Sequence, residues 1–175
     1  MQQSWIDQNR RQPAAAAASA IFVISAATML GAWYFEYVVK LAPCPLCLEQ
    51  RLPYYIVIPL SLLLTIAVPV HAPRALVSVG LLAIAAAMLC GAALGAYHAG
   101  VEWHWWPGPT DCSGPVTDFN AKGPLLNQLQ TIRVARCDEA AWRFLGISLA
   151  GYNALISLLL AAIAAWGLDV GRPTR

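Results

Sequence analysis

The stretch "KLAPCPLCLEQRLPYY" sets Cys44 and Cys47 two residues apart and places Arg51 four positions further on. A Cys-x-x-Cys pair closes a very small disulfide ring, and its thiols often ionise easily near a helix N-terminus. A long apolar run begins just after Cys47, so the free N–H groups of a starting helix could steady a thiolate. Pro45 narrows the backbone conformations open to the ring. Three uses compete for such a pair: redox exchange, a structural staple, and half of a metal site. Zinc calls for a second closely spaced pair, whereas Cys112 and Cys137 are 25 residues apart. A c-type haem attachment needs His after the second Cys, and Leu48 stands there. Both absences favour redox use.

Cys112 and Cys137 could simply staple a loop, the common fate of extracellular cysteines. Their company argues for more. A thiolate attacks a nearby disulfide through a mixed disulfide, so two dissimilar pairs within reach make a relay. Arg51, one helical turn beyond Cys47, could favour a thiolate or the oxyanion of a reduced quinone. Its other use is snorkelling to lipid headgroups. His98, in "GAYHAGVEWHWWPGP", and His104 read first as polar anchors at a membrane surface, beside an aromatic belt of Trp103, Trp105 and Trp106. Cys90 stands alone within an apolar run, where a thiol is usually inert.

The elements that must position these residues are membrane helices. Of the 175 residues, 59% are hydrophobic and 11% charged, against about 25% charged in soluble domains. Four runs, about 14–35, 52–70, 75–97 and 144–166, are long enough to cross a bilayer. They predict one all-α transmembrane domain over residues 1–175, a four-helix bundle with outer loops at about 36–51 and 98–143. The first run exceeds a signal-peptide core, so it reads as a retained helix. Pro59 predicts a kink in the second helix, not a break. Gly91, Gly95 and Ala99 form a small-residue ridge for close helix packing. Leu125, Leu126, Leu129 and Ile132 recur at helical spacing, as in a surface-lying piece or a cover on the bundle. A net charge of +2 gives no basic stripe for nucleic acid, and phosphate-loop, zinc-protease and paired-carboxylate motifs are absent.

Four spans put both tails and the "HAPR" turn on one side. Arg10, Arg11, Arg74, Arg172 and Arg175 fall there in short segments, whereas the other side offsets six Lys/Arg with seven acids over longer loops. Positive charge in short loops marks the cytoplasm. The tails are then expected inside, with Cys44, Cys47, Cys112 and Cys137 together on the oxidising face.

These residues resemble a known family. "CPLCLEQR" is similar to the Cys-x-x-Cys-x-x-x-Arg signature of the DsbB family of bacterial inner-membrane disulfide-generating oxidoreductases. "CDEAAWRFLG" resembles the segment opening that family's last helix, and the four-helix plan and Tyr97–His98 also fit. The resemblance implies that Cys44 and Cys47 face a quinone (ubiquinone or menaquinone), with Cys47 nearest the ring and Arg51 and His98 helping to bind it. It implies that Cys112 is attacked by a periplasmic DsbA-like thioredoxin-fold partner and that Cys137 passes electrons to Cys44. That a DsbA–DsbB–quinone route keeps the bacterial periplasm oxidising is established chemistry, not a reading of this chain. Exchange only moves a disulfide, so making one needs a two-electron acceptor, and a lipid-soluble quinone suits a site at the membrane edge. Rival expectations are a vitamin K epoxide reductase-like enzyme, a scaffold with structural disulfides, and a metal-binding membrane protein. Cys90 and the tryptophan-rich stretch lie outside the family pattern.

Overall fold

A computed structural model of the chain describes residues 2–109 and 136–170, with side chains over 12–109 and 136–169. Helix α1 (Gln2–Trp33) runs into a π-helical turn, Tyr34–Val38. The short α2 (Pro45–Glu49) leads into α3 (Leu52–Ala67), and α4 spans Arg74–Glu102. A hairpin of β1 (Arg143–Phe144) and β2 (Ile147–Ser148) opens directly into α5 (Leu149–Val170). Cys112 and the Leu125–Ile132 segment lie outside the described residues.

Among the described residues, four segments are long and apolar enough to cross a membrane: Gln12–Val38, Pro45–Ala67, Arg74–Glu102 and Leu149–Asp169. The expected four-helix membrane bundle is therefore the fold. Burial has the sense that a lipid solvent selects. Ile21, Val57, Ile84, Met88 and Leu160 are sealed in the bundle centre, while Val23, Leu63, Ile66, Leu82 and Leu159 point outward, half or more exposed. With no water beside the spans, helices satisfy every backbone group internally, and apolar side chains can face out at no cost.

The small-residue ridge is where α4 meets α5. A Cβ on Gly95 would stand 2.9 Å from the Ala154 backbone nitrogen, and one on Gly91 would stand 3.2 Å from the Ser157 hydroxyl. Only residues without bulk let two helices approach this closely. Helix α3 passes through Pro59 unbroken.

Three element boundaries differ from the sequence reading. The last span starts at Leu149, because the residues assigned to its first turn form the hairpin instead. Leu145 and Gly146 both take positive φ, 49° and 81°, as a two-residue type I′ turn requires. Helix α4 runs on to Glu102, so His98 lies a full turn inside it. The first outer loop is largely structured, by the π turn and α2.

Candidate functional site: a buried thiol cluster beside a membrane cavity

Pro43 and Pro45 bracket Cys44 and decide where α2 begins. A residue before Pro is pushed to extended backbone, and Cys44 has φ −80° and ψ 166° as the N-cap. Pro45 then fills the first helical position, where its missing N–H costs nothing. This cap turns the Cys44 sulfur onto the open helix end, where it accepts the Cys47 N–H at 3.3 Å. The two sulfurs face each other at 3.0 Å as free thiols, and the roughly 2.05 Å of a disulfide is a small movement away. The hydrogen bond to the Cys47 sulfur, and then burial, push the Cys44 thiol far above its ordinary range, which leaves it the protonated member of the pair.

Cys137 reaches this pair from the segment ahead of the hairpin. It is wholly buried and packs with Cys44 and Leu46. One member of the second expected pair therefore meets the first, across 90 residues of chain. Cys90 faces outward from α4 and takes no part.

A line of polar side chains backs the cluster. His98 Nε2 lies 3.6 Å from the Cys44 sulfur, and its Nδ1 lies 2.6 Å from Gln50 Nε2. Gln50 Oε1 accepts from Asn153 Nδ2 at 2.7 Å, and Asn153 Oδ1 accepts from the Tyr54 hydroxyl at 2.8 Å. Tyr54 in turn meets the Ser157 hydroxyl at 3.2 Å. Glu102, also buried, holds Oε1 3.8 Å from His98 Nε2, and its Oε2 has no partner among the described residues.

On the other side of Cys47 opens a cavity of about 310 Å³, bounded by Cys47, Arg51, Glu36, Met29, Phe35 and Asn153 among others. Arg51 pairs with Glu36 there, their side chains 13% and 21% exposed. The π turn is what carries Glu36 to this place, since one residue more per turn rotates the chain relative to α1. Arg51 is thus an ion-paired cation, not a bare one. His98 does not line the cavity. It stands behind the thiols, on Cys44.

Sequence reasoning missed Glu36, Gln50, Glu102, Asn153 and Tyr54. Each is a polar group within or at the edge of a membrane-length apolar run, a rarity that itself marks function. Three ligand atoms, from Cys44, Cys47 and His98, lie within 4.8 Å of one another and form a candidate metal cluster.

Fold and site together define a multi-pass membrane protein with thiols gathered at one end of a helix bundle. The family model of disulfide bond formation protein DsbB matches residues 14–167. The chain is 34% identical over 151 residues to disulfide bond formation protein B of Marinobacter nauticus, covering 82% of this chain and 84% of that one. It is 30% identical over 175 residues to disulfide bond formation protein B of Verminephrobacter eiseniae, covering 97% and 94%. Against disulfide bond formation protein B 2 of Pseudomonas entomophila it is 34% identical over 146 residues, covering 79% and 81%. No solved structure matches. The chain belongs to the DsbB family of disulfide bond formation membrane proteins.

Proposed function

We propose that the protein generates disulfides at the bacterial inner membrane, both termini cytoplasmic, taking electron pairs from a periplasmic DsbA-like thioredoxin-fold protein and delivering them to ubiquinone or menaquinone. The observation that carries this reading is the meeting of Cys137, Cys44 and Cys47 beside a cavity that Cys47 and Arg51 share.

The cavity's character fits a quinone. Its volume of about 310 Å³ is at the small end of ligand pockets, enough for a ring whose tail extends into lipid. Its wall is mainly aliphatic and aromatic, with Arg51, Glu36, Gln50 and Asn153 among its polar groups. Arg51, Asn153 and Cys47 would hold the group, which when bound supplies a sink for two electrons and two protons.

The chain's own thiols do the rest by exchange. A partner thiolate bonds to Cys112 and releases Cys137 from a Cys112–Cys137 disulfide. The Cys137 thiolate attacks Cys44 of a Cys44–Cys47 disulfide, so a Cys44–Cys137 bond forms and Cys47 leaves as a thiolate beside Arg51. The partner's second thiol closes its own disulfide and frees Cys112. Cys112 then attacks Cys137, restoring the outer disulfide and expelling Cys44 as a thiolate. Two electrons now rest on Cys44 and Cys47, two protons have come from the partner, and the Cys44–Cys47 bond re-forms as that electron pair leaves through the cavity.

A metal centre on Cys44, Cys47 and His98 is the second reading, supported by the closeness of their ligand atoms. Against it, two sulfurs bound tetrahedrally to zinc stand about 3.8 Å apart, and these stand 3.0 Å apart.

The deciding experiment gives purified full-length protein a reduced thioredoxin-fold partner and a soluble quinone analogue without oxygen. One quinone should be consumed per two partner thiols. Thiol loss with quinone unchanged, or about one equivalent of zinc in protein purified without reductant, would overturn the proposal.

A further inference from the structure

The polar line from α5 to Cys44 has a fixed direction, and one carbonyl sets it. Gln50 Nε2 lies 3.3 Å from the Leu46 carbonyl oxygen, 2.6 Å from His98 Nδ1, and on the opposite end of the amide from Asn153. A carbonyl can only accept, so the Gln50 atom facing Leu46 is the NH₂ group. The Gln50 oxygen then faces Asn153, which must present its own NH₂ group. The Asn153 oxygen is left to accept from Tyr54, as it does at 2.8 Å. Every donor in the line meets an acceptor. Reversing the amides would press the Gln50 oxygen onto the Leu46 oxygen with no proton between them.

The consequence falls on His98. A neutral imidazole carries one N–H. Its Nδ1 faces a donor at 2.6 Å, so Nδ1 is the bare nitrogen and the proton sits on Nε2. That nitrogen faces the Cys44 sulfur at 3.6 Å and Glu102 Oε1 at 3.8 Å, both acceptors. A histidine bound to metal through Nε2 would instead donate from Nδ1 to an acceptor. The line of amides is wired against that arrangement.

We propose that Gln50 and Asn153 are positioning residues, which hold His98 as the tautomer that aims its Nε2–H at the Cys44 sulfur. The donor serves the step in which Cys112 expels Cys44: one S–S bond forms, one breaks, and the negative charge appears on a buried sulfur that already accepts the Cys47 N–H. A second donor on the leaving sulfur speeds its departure. This consequence rests on the thiol relay proposed above, whereas the tautomer itself rests only on geometry.

The test reads the tautomer directly, from ¹⁵N shifts of histidine in the full-length protein in detergent, with no partner or quinone added. The chain has three histidines, and the His98 signal is the one lost in His98→Gln. Wild type should show the proton on Nε2. Gln50→Glu puts an acceptor against Nδ1 and should move the proton there; Asn153→Asp should do the same by turning the Gln50 amide. In a Cys47→Ser background, Gln50→Met should slow alkylation of Cys44 about threefold per pKa unit of lost stabilisation, since a less acidic thiol is also more nucleophilic once ionised. A wild-type proton on Nδ1, a tautomer unmoved by either acidic substitution, or an unchanged alkylation rate would overturn the inference. Normal quinone reduction with the proton on Nδ1 would defeat the inference alone. An Nε2 proton with no quinone reduction would defeat the functional proposal alone.

Discussion

The centre of the bundle and its thiol end are held by different forces. At the centre, Ile84, Met88 and Leu160 interlock in one apolar cluster. At the thiol end, His98, Gln50, Asn153 and Tyr54 hold one another by directional hydrogen bonds, and Arg51 is tied to Glu36. Packing tolerates small rotations of a side chain; a hydrogen-bonded line between acceptors and donors does not. The lesson is a division of labour, in which a shape-fitted scaffold holds helices at fixed spacing and a polar mesh aims particular atoms at sulfur.

Substitutions can break that division, beginning with the largest effect. Cys47→Ser or Cys137→Ser should reduce partner-driven quinone reduction to background, because each removes a sulfur from an obligatory bond-forming step. Cys90→Ser, on the scaffold's outer face, should keep turnover within about twofold, as surface changes usually do. Equal losses in all three would erase the contrast. Next comes Arg51→Ala, which strips Glu36 of its partner and the cavity of its cation. The apparent quinone KM should rise by about tenfold or more, since a hydrogen bond from a charged group is worth about 1.5–3 kcal/mol. An unchanged KM would remove Arg51 from the binding site.

Gly95→Val tests the scaffold. Its Cβ would meet the Ala154 backbone, next to Asn153, so thermal unfolding in detergent should show a loss of about 1–3 kcal/mol. The smallest effect is expected from Asp138→Asn. The Asp138 carboxyl is held below its usual range chiefly by its hydrogen bond to Arg136. A lowered carboxyl stabilises above its unfolded pKa and loses that contribution as pH falls through the folded value. Because the pair lies at the surface, where water and salt screen it, the melting curve at neutral pH should not move measurably.

Much of the architecture was legible because it depends on composition over long windows. Four apolar runs needed only length, and the ridge of Gly91, Gly95 and Ala99 needed only small residues at one helical spacing. The thiols were legible through spacing, as Cys44-x-x-Cys47. Glu36, Gln50, Asn153 and Glu102 were not, since a single polar residue in an apolar run shows that something must satisfy it without saying what. His98 was found as a residue and placed differently, on Cys44 instead of the cavity wall. The hairpin was hidden inside "RFLGIS", whose apolar residues read as the start of a span.

What the chain's order of residues determined alone was the solvent each segment prefers and the cap at which α2 begins, because burial preference and proline geometry act locally. Only the tertiary fold decided that Cys137 meets Cys44, that Glu36 neutralises Arg51, and which nitrogen of His98 faces sulfur. Those outcomes depend on distances between groups up to about a hundred residues apart in sequence, and such distances exist only once the helices have packed.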